Sequence, residues 1–233
     1  MTSVPVLAYN LPACSISDEE RGKPAENILL GYRAERRDLA KLADIVRLDE
    51  HKRNPKIRLA ARERKAAKKY EALIVKIRFW EEVEHLKGAL LALHGASPPT
   101  EAALEADAIA KNVIETLHAL SQKWRIGSSA LFANFLINIG LKENGFCYHY
   151  VAMLRKALSK QVWSQFEIRW GTTWENTFRE NNALVITAKG RPFEDGLAID
   201  AWRSAGRPFW TPVKEDRFPW IEEWDVETKY EVE

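Results

Sequence analysis

Phe166-Glu167-Ile168-Arg169-Trp170 alternates apolar and charged side chains, the period of two that a half-buried strand uses and a helix does not. A strand here decides the fold class, because most of the chain before Ser159 carries the other period. Downstream, residues 184–188 and 197–199 read as two more short strands. They are joined by Lys189-Gly190-Arg191-Pro192-Phe193-Glu194-Asp195-Gly196, a turn-rich connection. Residues 208–213 add an edge strand, since Pro208 and Pro212 cannot donate to a ladder. Gly171-Thr172-Thr173 reads as a turn. The expected architecture is α+β, a small antiparallel sheet with helices on one face.

Upstream of the first strand the pattern is helical. Residues 24–48 place Ile28, Leu29, Tyr32, Leu39, Leu42, Ala43 and Val46 at helical spacing. A second run, 55–93, has an apolar stripe of Leu59, Ala66, Tyr70, Leu73, Ile77, Trp80 and Leu86, and Gly95-Ala96-Ser97-Pro98-Pro99 ends it. Thr100 with Glu101 and the acidic residues behind it signals a new helix to about Trp124, folding back on the previous one as a helical hairpin. Residues 130–139 are apolar nearly all round and read as a buried helix. Gly140 and Asn144-Gly145 then separate it from a helix that starts near Cys147, with Val151, Leu154 and Leu158 facing the core.

At 233 residues the chain suits one or two domains and can bury a sizeable core. Seven of its nine tryptophans lie after residue 160, while 25–125 is rich in Ala, Leu, Glu, Lys and Arg. The expected division is therefore a flexible N-terminus at 1–24, a helical region at 25–125 and an α+β core at 126–233. The tryptophans could bind sugars or aromatic groups, but Trp202, Trp210 and Trp220 fall where a small sheet needs large core residues. A formal charge of +2 and a pI near 8.4 are too mild to argue for nucleic acid. The basic run from Lys52 to Lys69 reads as a solvated helix face, its charge answered by Glu81, Glu82, Glu84 and Glu101. No apolar run approaches the ~18 residues of a membrane span.

Two cysteines far apart, Cys14 and Cys147, do not make a disulfide framework. Leu11-Pro12-Ala13-Cys14-Ser15 is similar to a bacterial lipoprotein processing site, but residues 1–10 have no basic residue and no apolar stretch of the usual ~7–15. The chain as given is expected to be cytoplasmic, or a periplasmic lipoprotein if an export signal before Cys14 has been trimmed.

Cys147 stands in Gly145-Phe146-Cys147-Tyr148-His149-Tyr150, after a glycine and at a helix start. Two strand-like segments follow it: Glu180-Asn181-Asn182-Ala183-Leu184-Val185-Ile186 and Gly196-Leu197-Ala198-Ile199-Asp200-Ala201-Trp202-Arg203. Further on come Gly206, Phe209-Trp210 and Asp216-Arg217-Phe218-Pro219-Trp220. Over residues 128–222 this order resembles the papain-like and transglutaminase-like cysteine hydrolases, in which a helix-borne Cys precedes a strand-borne His and a strand-borne Asp. In the bacterial proteins it looks like, the strand reads Glu-His-Asn-Ala, so the resemblance puts Asn181 at the histidine position. It implies a site of Cys147, Asn181 and Asp200, with the Cys helix packed on the sheet and no cofactor or metal.

The departure strikes the proton carrier. A thiolate is the nucleophile in such sites, and an adjacent imidazolium is what depresses the thiol pKa from ~8.5. An amide neither takes a proton from the thiol nor returns one to a leaving amine, so general acid–base help of about 10²–10⁴-fold goes with the histidine. His149 is two residues from Cys147 and therefore points to another side of the helix. His51, His85, His94 and His118 lie in the helical region and read as packing or solvated residues. Residue by residue, structural readings stand beside the functional one: Cys147 as buried filler, and Asp200 as a partner of Arg203 or a turn cap.

The expectation is a degenerate cysteine hydrolase, impaired in turnover and acting by binding a protein or peptide. Two alternatives stay open. One is a helical scaffold in which 25–125 holds the partner. The other is a live thiol amidohydrolase or acyltransferase that takes a histidine from elsewhere, or whose Asn181 is an introduced inactivating change.

Overall fold

The computed structural model describes residues 14–40, 54, 61–124, 147–175, 177, 179–204 and 207–226. The helix expected at 130–139, the Gly145-Phe146 lead into Cys147, the first helix beyond residue 40 and the basic run before residue 61, Asn54 apart, fall outside them. Chain contacts form two compact units, one of residues 16–84 and one holding 85–233, with the boundary inside a helix.

In the unit of residues 16–84, Ser17 caps helix α1 (Asp18–Arg21). Its hydroxyl accepts the Glu20 N–H, and the Glu20 carboxylate takes the Ser17 N–H at 2.9 Å, a reciprocal capping box. Helix α2 (Ala25–Ala40) starts directly after Pro24, which costs nothing at a helix entry, and buries Ala25, Ile28 and Leu29. Helix α3 (Ala61–Ala92) buries Leu73, Ile77 and Trp80 as its stripe requires. Val75 and Phe79 are buried too, so this part of the helix is enclosed on more than one side. Arg64, Lys65, Lys68 and Lys69 of the basic run are exposed. Lys69 pairs with Glu35 at 2.8 Å, and Glu81, expected to answer that run, instead takes Arg33 at 2.7 Å.

In the unit holding 85–233, α3 ends at Ala92 and a turn follows it to Gly95, whose φ of +78° is a conformation that side-chain-bearing residues rarely adopt. Helix α4 (Thr100–Trp124) has the bounds expected from its start signal, and Ala102, Ala106, Ile109, Val113, Leu117 and Leu120 form its buried face. α4 packs on helix α5 (Cys147–Leu158), and α5 packs on the sheet. The strands among the described residues are β1 (Phe166–Thr173), β2 (Asn181–Ala188), β3 (Leu197–Ile199), β4 (Trp210–Pro212) and β5 (Ile221–Glu222). All neighbours are antiparallel in the order β4-β3-β2-β1-β5, which leaves the proline-flanked β4 at an edge. The protein is thus a mixed α+β protein with a small antiparallel sheet, as the change of period implied.

Both faces of the sheet are covered. Asn182, Leu184 and Ile186 of β2 turn toward α5, while Ala183 and Val185 join Phe193, Ala198, Val213 and Trp220 in a second core on the opposite face. Every residue of β2 is therefore buried. Gly171-Thr172-Thr173 is not the turn its composition suggested but the inner end of β1, paired with 181–183. The glycine serves packing there. A Cβ on Gly171 would lie 2.9 Å from Val185 Cγ2 and 3.1 Å from Phe193 Cζ. Gly171→Ala is expected to cost about 1–3 kcal/mol of stability by overpacking; urea unfolding measures it, and an unchanged midpoint would contradict the second core.

The entry to β1 is fixed by a single carboxylate on α4. Glu105 receives the N–H of Ser164 at 2.8 Å, that of Gln165 at 2.9 Å and the Ser164 hydroxyl at 2.7 Å. Burial pushes its pKa up, but these donors and the Phe166 N–H outweigh burial and hold it below the ordinary 4.5. A depressed folded pKa gives stability that is full above the unfolded value and lost as pH falls through the folded one. Glu105→Ala should cost about 1.5–3 kcal/mol at pH 7, and the two proteins should converge in thermal stability toward pH 3. A gap that persists undiminished in acid would mean that the loss is one of packing alone.

Candidate functional site

α5 and β2 bring the thiol and the amides together. Cys147 is the first residue of α5, and the Asn182 side chain donates from Nδ2 to its sulfur at 3.5 Å. The amide is oriented by Trp170, whose indole N–H can only donate and reaches Asn182 Oδ1 at 2.6 Å. That leaves the Asn182 NH₂ for the sulfur and for Glu180 Oε1 at 3.3 Å.

Asn181 belongs to the other face of the same strand. Its Nδ2 donates to Asp200 Oδ2 at 2.7 Å, and its Oδ1 accepts the Asn182 N–H at 3.0 Å. The three residues singled out from sequence, Cys147, Asn181 and Asp200, therefore gather at one end of the sheet, but the side chain that reaches the sulfur is Asn182. Among the described residues no single one bridges thiol and carboxylate. Successive residues of a strand point to opposite faces, and Asn181 and Asn182 divide the two contacts between them.

Asp200 carries further partners. The Arg203 N–H and Nε donate to its two oxygens, each at 3.0 Å. The guanidinium then grips Asp216 with two bonds of 2.9 and 2.7 Å and lies over the rings of Phe209 and Phe218, 4.7 and 4.2 Å from their centroids. Trp220 Nε1 completes Asp216 at 2.8 Å. One cation thus serves two buried carboxylates.

The electrostatics follow from burial. Desolvation pushes the Cys147 thiol up to about 11; the Asn182 N–H groups and the Tyr148 N–H pull it down, and the charge of Asp200 raises it further. Desolvation also raises Asp200, with Arg203 and Asn181 opposing, while Asp216 is held below the usual carboxylate range because the Arg203 and Trp220 donors outweigh its burial. At pH 7 a thiol of that pKa is about one part in 10⁴ thiolate.

Among the described residues the Cys147 sulfur has no imidazole partner. His149 packs beside Tyr148 and Trp124, with centroids 4.2 and 6.1 Å away, and burial lowers its pKa. His94 sets its ring edge-on to Phe166 at 4.9 Å, and His118 lies on the buried face of α4. Thr172, directly opposite Asn182 in the ladder, buries a hydroxyl that has no partner. Neither Cys14 nor Cys147 is in a disulfide, and among the described residues no group of His, Cys, Asp and Glu could hold a metal ion. No helix among them is long and apolar enough to cross a membrane.

Sequence reading missed Asn182, Trp170 and Asp216 as members of this cluster. Asn182 shares the parity of Leu184 and Ile186, which face α5, and that parity was the available signal. It was hidden because both faces of β2 are apolar.

Compared with family models, curated proteins and solved structures, the chain matches none.

Proposed function

We propose that this chain is a degenerate papain-like or transglutaminase-like cysteine hydrolase, impaired in turnover and acting by binding a protein or peptide partner. The observation that carries the reading is the contact of a helix-start cysteine with a strand-borne amide: Asn182 Nδ2 lies 3.5 Å from the Cys147 sulfur, where a general base would have to stand. An intact site would attack an amide or thioester carbonyl with a thiolate, handing the thiol proton to a base and returning it to the leaving group. Asn182 can donate a hydrogen bond to sulfur but cannot accept and return that proton. The resemblance assigned this position to Asn181; the side-chain contacts favour Asn182, and Asp200 is retained as the carboxylate of the frame, now bonded to Asn181 and Arg203.

The test is the rate of Cys147 alkylation by iodoacetamide between pH 5 and 9, in protein carrying Cys14→Ala. An impaired site gives a rate that climbs throughout the range with no plateau, the behaviour of a thiol titrating above it. A plateau at or below pH 7 would show a standing thiolate and sink the reading in favour of a live enzyme.

A further inference from the structure

Charge is unevenly distributed along this chain. Residues 33–69 hold fourteen Lys and Arg against six Asp and Glu, whereas the whole chain holds 35 against 33, so acids outnumber bases in the remainder. The formal charge of +2 conceals that split. The described residues of the basic stretch lie within the unit of residues 16–84, on the C-terminal half of α2 and the N-terminal part of α3.

Side-chain contacts align these two helices antiparallel. Tyr32 receives Lys76 Nζ at 2.7 Å, and further along α2 Glu35 takes Lys69 at 2.8 Å, nearer the start of α3. Arg36 and Arg37 follow one turn after Tyr32 and Arg33 on the same side of α2. Lys65 precedes Lys69 by one turn on α3, with Arg64 and Lys68 beside it. Arg36, Arg37, Arg64, Lys65 and Lys68 are all exposed, and none of the five meets a carboxylate. The acid expected to answer them, Glu81, is taken by Arg33. Residues 41–60, between the two helical segments, contribute six bases and three acids, an excess of the same sign.

An ordinary solvated face mixes its signs, as α3 does further on with Glu71, Lys76, Arg78, Glu81 and Glu82. Here like charges recur at i and i+4, Arg64 with Lys68 and Lys65 with Lys69, a spacing that destabilises a helix standing alone. A polyanion laid across both helices removes that repulsion. A membrane surface fits less well, because a helix seated in one needs an apolar face beside its basic one. Ile28 and Leu29 of α2 and Leu73, Ile77 and Trp80 of α3 are buried instead. Among the described residues of this unit, Leu30 is the one large apolar side chain left exposed. Three of the five cations are arginines, whose planar fork matches phosphate oxygens, and cations one turn apart stand about 6 Å from each other along the axis, in a row. The geometry points to this end of the α2–α3 pair as a binding surface for the phosphate backbone of a nucleic acid, engaged without regard to base sequence. The inference stands apart from the Cys147 site and does not depend on how that site is read.

The experiment measures fluorescence anisotropy of labelled mixed-sequence DNA and RNA duplexes titrated with the full chain between 50 and 200 mM NaCl. Five phosphate contacts predict a slope of log K against log salt of about −4.5, a several-hundredfold loss of affinity over that range. Arg64→Gln, Lys65→Gln and Lys68→Gln combined should weaken binding at least tenfold at 50 mM NaCl and make the slope shallower by about 2.7. The matched control is Arg155→Gln, Lys156→Gln and Lys160→Gln combined, three exposed cations of α5 and the turn after it, which should leave both quantities unchanged. Thermal melts establish that each variant is folded. Either duplex binding with that slope sustains the proposal. No binding of either at 50 mM NaCl, or equal losses in the two triple variants, would overturn it. Equal or tighter binding to phosphatidylserine vesicles or to polyglutamate would overturn the choice of a nucleic acid in favour of a membrane or an acidic protein.

Discussion

Replacing Asn182 with histidine should make Cys147 alkylate about a hundredfold faster at pH 7, whereas the same change at Asn181 should leave the rate alone. The contrast comes from which face of β2 each residue occupies. An imidazole at 182 stands on the α5 side, where the amide now donates to sulfur at 3.5 Å, and an imidazolium there stabilises the thiolate that burial penalises. An imidazole at 181 would meet Asp200 and Arg203 on the far face. The thiol pKa should fall from about 11 toward neutrality in the first variant only. Both variants are made with Cys14→Ala, and thermal melts establish that each folds, since Asn182→His also removes the acceptor of the Trp170 indole. A gain at 181 instead of 182, or at neither, would refute the arrangement of the thiol site and with it the proposed ancestry.

Removing the guanidinium of Arg203 should be the most damaging single change to stability, about 3–5 kcal/mol at pH 7. Asp200 and Asp216 have side chains only 1% and 2% exposed, and Arg203 is the shared counter-ion of both. Arg203→Met keeps much of the apolar stem between Phe209 and Phe218 but leaves two buried carboxylates facing each other's field. The pH dependence separates this from lost packing. In the parent protein Asp216 has a depressed pKa, so its contribution is present above the unfolded value and fades as pH falls through the folded one. In the variant both carboxyls are raised, and a raised acid destabilises the fold at pH values above its unfolded pKa. Acidification from pH 7 to 4 should therefore stabilise Arg203→Met relative to the parent. Parallel pH profiles for the two proteins would show that Arg203 acts by packing alone.

Much of the scaffold is written locally. The Thr100 start with its acidic first turns places α4 at Thr100–Trp124, and the alternation of Phe166, Ile168 and Trp170 marks β1. Gly95 and the prolines after it end α3, and Pro212 marks β4 as an edge. These signals work because each depends on a residue's own conformational limits or on one dominant apolar face. The errors arise where a second packing surface intervenes. Gly171 looked like a turn because glycine usually serves one; here Val185 and Phe193 need the space that its missing side chain leaves. Asn181 and Asn182 were hard to rank because β2 is buried on both faces, which removes the polar–apolar alternation that would have told one side from the other.

The sequence by itself determined the α+β class, the helical first half, the short antiparallel strands and a cysteine at a helix start upstream of Asp200. Those follow from periodicity, capping and the restrictions of glycine and proline, all of them local. Only the tertiary structure decided that Asn182 and not Asn181 meets the thiol, that Arg203 is divided between Asp200 and Asp216, and that β5 pairs with the Gly171-Thr172 end of β1. The first is a matter of strand parity relative to α5, the second of residues 13 apart in sequence meeting with β4 between them, and the third of where β5 stops. The thiol pKa of about 11 belongs with them, because desolvation measures what surrounds the sulfur in space and has no counterpart in the order of residues along the chain.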